Sequence, residues 1–424
     1  MRKLLVATML VLAGCGTGPA ASQNAHAYRL FVEGLGGGVE VVTTSPAARV
    51  TLPAGFLTAD GSMLYSSGGQ VFGGAAGPGG MTIVNSFDGR TGSQARKVEA
   101  PGTWTLEGGG TSPDGRWLVL TGSAPARPGS FLVLNTGPSG RQFKVNLGGQ
   151  FNFDAISNDG SKLYLIQNLA GTAYHVRLFR VFENLLQSDP VAIKPNTVEA
   201  MNGYKITSVA DPSGHMLYSL YGRNDGQPPF VHALDLEAGI AYCIDLPAIP
   251  AMTLAYLIAD SSGWALSLDS THHALYASAS AGQVVVIDTN ENRVTRSGAV
   301  SPPPATSWLP SFLVDAQAKA FDSAPAASAV DPSGRWLYVA WRSGYLTIDT
   351  RNLRAVAHQD RTDVFSSLAT SPDGRHLFGV VRWGTVTDLD PQTGARQATL
   401  TGVGQPWRIL RLEPLLGGPD HRGR

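Results

Sequence analysis

The feature that most constrains the fold of this chain is a short phrase that recurs seven times. Two copies, SPDGRWLVL and SPDGRHLFGVV, are nearly identical. The copies span residues 58–67, 112–120, 157–166, 211–221, 268–278, 331–341 and 371–381. Self-similarity at a spacing of tens of residues indicates a repeat architecture, because each unit is one supersecondary element.

The chemistry of each copy predicts a β-hairpin. A typical copy has an apolar run, then Asp or Ser, Pro, Asp or Ser, and Gly, as in DPSG at 331–334. Pro presets φ for a β-turn, and Gly accepts the position with positive φ. An alternating run rich in Leu, Tyr and Val follows, as expected for a half-buried strand. The fifth copy differs, with His272-His273 at the turn; the two side chains diverge, so we do not expect a metal site there.

A second hairpin follows the first in most units. VVVIDTNENRVTRSGAV is an example, with a strand, a turn and another strand. These second hairpins span residues 131–147, 231–246, 284–300, 346–359 and 386–400. Two hairpins give four antiparallel strands in each unit. Four-stranded units repeated around an axis are the blades of an all-β propeller.

The two ends of the chain complement each other. Residues 28–52 have the pattern of strands two to four of a unit, and residues 404–414 that of a first strand. Pairing them makes one blade from both ends and closes the ring without a free edge. The sequence therefore predicts eight blades. If residues 28–52 form a peripheral hairpin instead, the ring has seven.

The repeat resembles a known family at two places. VVVIDTNENRV (284–294) and SGRWLYVAW (333–341) are similar to the YVTN-type repeat of bacterial β-propellers, which include lactonase-like proteins. The resemblance covers most of residues 28–412 and implies the propeller fold. It leaves function open, because propellers of this kind include lactonases, subunits of redox enzymes and binding scaffolds, and a fold does not define a function.

The first residues are typical of an export signal. Arg2 and Lys3 precede an apolar stretch that is too short to span a bilayer. Residues 12–15, Leu-Ala-Gly-Cys, resemble the lipobox of bacterial lipoproteins, which implies lipidation of Cys15 and a signal peptide over residues 1–14. The alternative is an ordinary signal peptide with an incidental cysteine.

These features lead to an expectation for location and domain order. Multiple acyl chains on Cys15 would anchor the chain stably in a lipid bilayer. Gly16 then implies the outer membrane of a diderm cell, or the outer face of the plasma membrane of a monoderm cell. We expect a flexible tether over residues 15–27, the propeller over 28–414 and a disordered tail over 415–424.

Charge and composition exclude one class of partner. The chain has 32 basic and 32 acidic residues, and without Arg2 and Lys3 its formal charge is −2. This balance does not favour nucleic acid. We find no phosphate loop, haem-attachment motif or zinc-ligand spacing, and expect a monomer without cofactor or metal. Two long insertions, 246–263 and 301–325, are typical of functional or disordered loops.

Register divides the tryptophans between the two faces of the ring. We call the face with the repeated turns the turn face, and the opposite one the far face. Trp117 and Trp336 follow the turns and are interpreted as blade packing. The residues predicted to form a binding surface on the far face are Trp104, Arg223, Trp264, Trp341, Arg342, Arg382, Trp383 and Trp407, with Trp308 in the insertion. Trp and Arg are enriched at interface hot spots; alternatively, these residues cap the blades and line a solvated rim.

Two functions of different class follow. The first is a lipid-anchored scaffold that binds an envelope protein, a glycan or a small anionic ligand. The second is a lactonase-like hydrolase with a site in the central channel, for which Glu107, Asp154 and Asp260 are the candidate acids or bases. Such carboxylates are also found hydrogen-bonded or solvated without a catalytic role. The sequence favours the scaffold, because no catalytic constellation is recognisable.

Overall fold

The computed structural model describes residues 27–68, 80–122, 129–171, 173–191, 200–223, 227–248, 263–280, 282–301, 327–359, 362–382 and 384–415. Over these ranges the regular secondary structure consists of β-strands, with no helix. The strands form eight separate antiparallel sheets. The chain is therefore an eight-bladed β-propeller, and the prediction of eight blades is confirmed.

Blade 1 begins at the amino-terminal end of the described chain with β1 (Tyr28–Gly34), β2 (Val39–Thr44) and β3 (Ala47–Leu52). Blades 2 and 3 follow with β4 (Phe56–Leu57), β5 (Met63–Gly68), β6 (Met81–Asp88), β7 (Gln94–Pro101), β8 (Trp104–Thr111), β9 (Trp117–Gly122), β10 (Ser130–Asn135) and β11 (Gln142–Asn146). Blades 4 and 5 comprise β12 (Phe151–Ile156), β13 (Lys162–Asn168), β14 (Ala173–Arg180), β15 (Leu185–Pro190), β16 (Met201–Asn202), β17 (Tyr204–Ala210), β18 (Met216–Gly222), β19 (Phe230–Asp235) and β20 (Ile240–Asp245).

Blades 6 to 8 complete the ring. Their strands are β21 (Trp264–Asp269), β22 (Ala274–Ala279), β23 (Gln283–Asp288), β24 (Arg293–Ala299), β25 (Ser328–Val330), β26 (Trp336–Ala340), β27 (Tyr345–Asp349), β28 (Arg354–Gln359), β29 (Phe365–Thr370), β30 (Leu377–Val381), β31 (Val386–Leu389) and β32 (Arg396–Leu400). The last strand, β33 (Pro406–Pro414), pairs with β1 as the innermost strand of blade 1. Blade 4 has a short fifth strand, β16, which pairs with β14 and was not predicted.

The core lies between the blades. Apolar side chains of each blade pack against those of the next, as Tyr174 and Val176 of blade 4 do against Phe230 and Leu234 of blade 5. The clusters follow one another around the ring. Neighbouring innermost strands also contact each other. Each blade therefore needs two neighbours to bury both of its faces.

The repeated turns share one set of contacts in two arrangements. In four turns the first residue is Ser or Thr and the third is Asp, and the hydroxyl donates to the carboxylate; the pairs are Thr58–Asp60, Ser112–Asp114, Ser157–Asp159 and Ser371–Asp373. In two turns the residues are exchanged, as Asp211–Ser213 and Asp331–Ser333. In all six turns, the side chain of the first turn residue accepts a hydrogen bond from the backbone N–H of the residue five positions later. The fourth residue is always Gly, with φ between 69° and 74°, which explains the repeated motif.

The exchange of Asp and Ser gives a direct test of this contact set. Replacing Asp331→Ser removes the carboxylate that accepts from Ser333 and from the Trp336 backbone. We expect a loss of about 2 kcal/mol in the free energy of unfolding. The double variant D331S/S333D recreates the SPDG arrangement of residues 371–374 and should recover most of that loss. Urea unfolding gives the free energy of unfolding of both variants. A double variant that is no more stable than D331S would contradict the proposed contact set.

The ring closure carries a buried ionic cluster. Glu413, near the end of β33, accepts from Arg29 of β1 at 2.5 Å and from Arg90 of blade 2 at 3.0 Å. Only a tenth of the Glu413 side chain is exposed. Burial raises the pKa of Glu413, but the hydrogen bonds from Arg90 and Arg29 outweigh it and lower the pKa below its usual 4.5. Glu413 thus joins both ends of the chain to the next blade.

We expect Glu413→Gln to destabilise the protein by about 2 kcal/mol at pH 7, because Arg29, Arg90 and Arg411 lose a shared carboxylate. Since the folded-state pKa lies below the unfolded one, this contribution is complete above pH 4.5 and is lost as the pH falls further. The matched control is Glu183→Gln, which breaks an exposed pair with Arg180 and should cost under about 0.5 kcal/mol. Equal effects of the two variants would contradict a role of Glu413 in ring closure.

Candidate functional site

The predicted binding residues that the structure describes lie at the far face. Each innermost strand begins at this face and runs toward the turn face, and each second strand ends at it. Trp104, Trp264 and Trp407 lie at or next to the start of an innermost strand, whereas Arg223, Trp341, Arg342 and Arg382 directly follow a second strand. Cys15, Asp260, Trp308, Trp383, most of both insertions and all but one residue of the tail lie outside the described residues.

Two of the tryptophans are part of the core. Trp104 and Trp264 are only 7% and 6% exposed and pack in apolar clusters between blades. Both occupy the first position of an innermost strand. The same position is aromatic in four other blades, as Phe56, Phe151, Tyr204 and Phe365. Their burial identifies Trp104 and Trp264 as packing residues. Alignment of the repeats was the sequence signal that an aromatic residue recurs at this position.

Arg223 is engaged within blade 5. Its Nη2 lies 3.0 Å from the Asp245 carboxylate, and its guanidinium stacks 4.9 Å from the centre of the Phe230 ring. Only a quarter of its side chain is exposed. These contacts reduce its availability to a partner.

The remaining predicted residues form what we call the far-face arc, made of Trp341, Arg342, Arg382 and Trp407. They belong to blades 7, 8 and 1, which are consecutive in the ring. Arg342 is exposed, and the other three are half-buried. Among the described residues, the predicted far-face residues other than Trp104, Trp264 and Arg223 therefore lie on three consecutive blades.

The aromatic residues of the arc rest on close backbone contacts. Trp341 packs over Gly282 of the preceding blade, where a Cβ would lie 3.1 Å from the ring. The backbone oxygen of Trp407 accepts a hydrogen bond from the Ser366 hydroxyl at 2.7 Å. Ser366 is the extra residue of a bulge in β29, which directs its side chain to the neighbouring innermost strand. The Trp341 ring and the Trp407 backbone are therefore each contacted by a neighbouring blade.

The candidate carboxylates of the channel lie on two different blades. Glu107 is exposed and belongs to a wide bulge in β8, where four residues separate the paired Thr105 and Gly110. Gly110 has no room for a side chain, because the Phe153 ring of the next blade occupies that space. The bulge therefore projects Glu107 away from the blade.

Asp154 is the extra residue of a bulge in β12. Its side chain is 2% exposed and lies 3.2 Å from Nζ of Lys205, on the innermost strand of blade 5. The ion pair joins neighbouring blades across their inner edges. A buried, paired carboxylate has a structural explanation, so the geometry of Asp154 does not by itself indicate a base or a nucleophile.

His232 is a buried histidine that the sequence reasoning missed. It lies in β19, is 1% exposed, and its Nε2 has no hydrogen-bond partner. Burial lowers the pKa of His232 from 6.5 to about 4; the Asp154 carboxylate acts in the opposite direction and Lys205 in the same one. The imidazole is therefore neutral at physiological pH.

This shift predicts a pH dependence of stability. The folded-state pKa is below the unfolded one, so the stabilisation is complete above pH 6.5 and is lost as the pH falls toward 4. Between pH 7 and pH 5 the His232 contribution should fall by about 2 kcal/mol. His232→Leu, which copies Leu346 of blade 7, should lose that part of the pH slope in urea unfolding. An unchanged slope would contradict the assignment.

Metal-binding clusters and membrane-spanning helices were also considered for the described residues. Within the part of the chain that the structure describes, no three His, Cys, Asp or Glu side chains converge so as to hold a metal ion. Among the same residues, no helix has the length and apolar character needed to cross a membrane.

Comparisons with known proteins identify the fold. No protein-family model and no curated protein matches the sequence. The crystal structure of Citrobacter koseri AztD is similar, with a TM-score of 0.56, 13% identity, and coverage of 93% of this chain and 100% of that one. The structure of apo AztD gives a TM-score of 0.55, with 13% identity over 92% of this chain and 98% of that one.

A second similar structure is dihydro-heme d1 dehydrogenase NirN in complex with DHE. Its TM-score is 0.51, with 14% identity over 90% of this chain and 73% of that one. At such identities the likeness shows the propeller fold, and no activity transfers with it.

Proposed function

We propose that this chain is a bacterial envelope lipoprotein, anchored through acylated Cys15, whose propeller is a scaffold that binds an envelope protein through the far-face arc. The proposal includes the YVTN-type assignment, which rests on residues 284–294 and 333–341. A binding role is compatible with the fold, since the similar NirN structure is a complex with DHE.

The observation that carries the proposal is where the chain enters the ring. β1 is the second strand of blade 1, so Tyr28 lies at the turn face, next to Pro414 at the end of β33. A tether from Cys15 therefore reaches the propeller at the turn face. Twelve residues separate Cys15 from Tyr28, and fully extended they span about 40 Å at most. The turn face is thus held toward the membrane, and the far-face arc points away from it.

Side chains at the turn face support this orientation. Phe182 and Leu185, at the hairpin between β14 and β15, are 46% and 53% exposed. The Arg141 guanidinium lies 5.2 Å from the centre of the Phe182 ring. Exposed apolar rings beside cations are typical of surfaces that contact the lipid interface.

The arc supplies the chemistry for a partner on the other side. Arg342 is exposed and Trp341 is half-buried beside it, and Arg382 and Trp407 continue the surface over the next two blades. Trp contributes a large contact area at interfaces. Arg forms paired hydrogen bonds to carboxylates. We therefore expect a partner with an acidic surface.

The test is cross-linking of living cells followed by capture of the lipidated full-length protein. A stoichiometric partner should be captured by the wild type and by Arg116→Glu, because Arg116 is an exposed arginine of the turn face. Arg342→Glu should reduce capture at least tenfold, and its melting temperature is measured to confirm that the variant is folded. Equal capture by the two variants would contradict binding through the arc.

The lipid anchor is tested separately. Cys15→Ser should move the protein from the membrane fraction to the soluble fraction after mild lysis, while capture of the partner persists at reduced efficiency. A protein that stays in the membrane fraction without Cys15 would contradict the anchor.

A further inference from the structure

A buried position of the repeat carries a histidine in blade 5. In the third strand of a blade, this is the residue three places before the hairpin Asp or Asn. It is apolar in blades 3, 6 and 7 and polar in blades 2, 5 and 8, where the residues are Asn85, His232 and Thr387. The buried Nε2 of His232 has no hydrogen-bond partner. A buried polar atom without a partner in a native structure calls for an explanation, and binding of an ion is one such explanation.

Two sulfur atoms lie in the same interface. Cys243 of β20 is the register partner of His232 in β19, so both side chains project from the same face of blade 5, with Cβ atoms about 5 Å apart. The Cys243 thiol donates to Sδ of Met201 at 3.6 Å. Met201 belongs to β16 of blade 4 and is 5% exposed. The sulfur pair therefore bridges the two blades beside the imidazole.

Aromatic side chains line this part of the interface. The Tyr174 and Tyr221 rings stack with their centres 5.5 Å apart, and Tyr221 stacks on Phe230 at 5.2 Å. The centre of the His232 ring lies 6.2 Å from that of Tyr221. An imidazole without a proton on Nε2 offers a lone pair, and burial keeps His232 uncharged at neutral pH.

Two of the three donors are soft sulfur atoms, and the third is an imidazole, which also binds copper. Thiolate and thioether ligands favour Cu(I), whereas carboxylates and carbonyls favour Mg²⁺ and Ca²⁺. Zinc sites use three or four ligands from Cys, His, Asp and Glu, and no such group of three occurs among the described residues. With metal–sulfur bonds of about 2.3 Å, two ligands of one ion lie about 3.3–4.6 Å apart. The distance of 3.6 Å between Cys243 and Met201 falls within that range.

We propose that Met201, His232 and Cys243 form a binding site for one Cu(I) ion between blades 4 and 5. Binding replaces the thiol proton, so Cys–SH and Cu⁺ give Cys–S–Cu and H⁺ without transfer of an electron. Cys243 is half-buried on the outermost strand, which gives the ion a path from the rim of the ring. The site is independent of the far-face arc and of the lipid anchor.

The test uses protein that begins at Gln23, because residues 28–414 contain the complete closed ring and Cys15 is then absent. Under anaerobic conditions the wild type should remove one equivalent of Cu(I) from its coloured bicinchoninate complex. Cys243→Ser and Met201→Leu should each weaken this uptake at least tenfold. Met216→Leu, at a half-buried methionine of blade 5, is the matched control and should bind like the wild type.

Stability measurements separate binding from folding. Cu(I) should raise the melting temperature of the wild type and of M216L, and leave that of C243S and M201L unchanged. No uptake by the wild type overturns the proposal. Uptake by C243S and M201L equal to that of the wild type shows an adventitious ion only and also overturns it. Uptake of Zn²⁺ as tight as that of Cu(I) overturns the assignment to a soft ion.

Discussion

The structure depends on the pairing of β33 with β1. These strands come from opposite ends of the chain, and Arg29 and Glu413, which meet there, are 384 residues apart. Closing a loop of that length costs about 5 kcal/mol of chain entropy. Backbone hydrogen bonds along the pair, apolar packing and the Glu413 cluster offset this cost. Without the pair, blade 1 would lose its innermost strand and its neighbours would expose apolar faces.

Most of the fold could be predicted from the sequence, because the information is local. Each turn sets a register through contacts within five residues, and Gly at positive φ marks the same place in each. The composite blade was also predictable, since residues 28–52 lack a first strand and residues 404–414 supply one. The observed strands Tyr28–Leu52 and Pro406–Pro414 agree within two residues at every end.

The site was predictable only in part, because it depends on contacts between blades. Register placed Trp104 and Trp264 at the far face but not in the core, where they replace the phenylalanines of other blades. The Lys205 partner of Asp154 lies 51 residues away, and no local pattern indicates it. His232 was hidden for the same reason, since its neighbours Met201 and Cys243 come from different strands and blades.

Closure also relates the fold to the proposed function, because it brings Tyr28 and Pro414, the first and last strand residues of the ring, together at the turn face. In the function that we propose, a lipid-anchored ring entered from this side has one face near the bilayer and the other face open to a partner. The two proposals assign the far-face arc to a macromolecule and the buried interface between blades 4 and 5 to a small ion.

The most direct measurement of the central claim is the orientation of the lipidated protein on vesicles. A fluorophore is placed at position 116 on the turn face or at 342 on the far face, with Cys243→Ser as background, and energy transfer to a lipid-bound acceptor is recorded. The account predicts efficient transfer from position 116 and weak transfer from position 342. Equal or reversed efficiencies would contradict a propeller held with its far face away from the membrane.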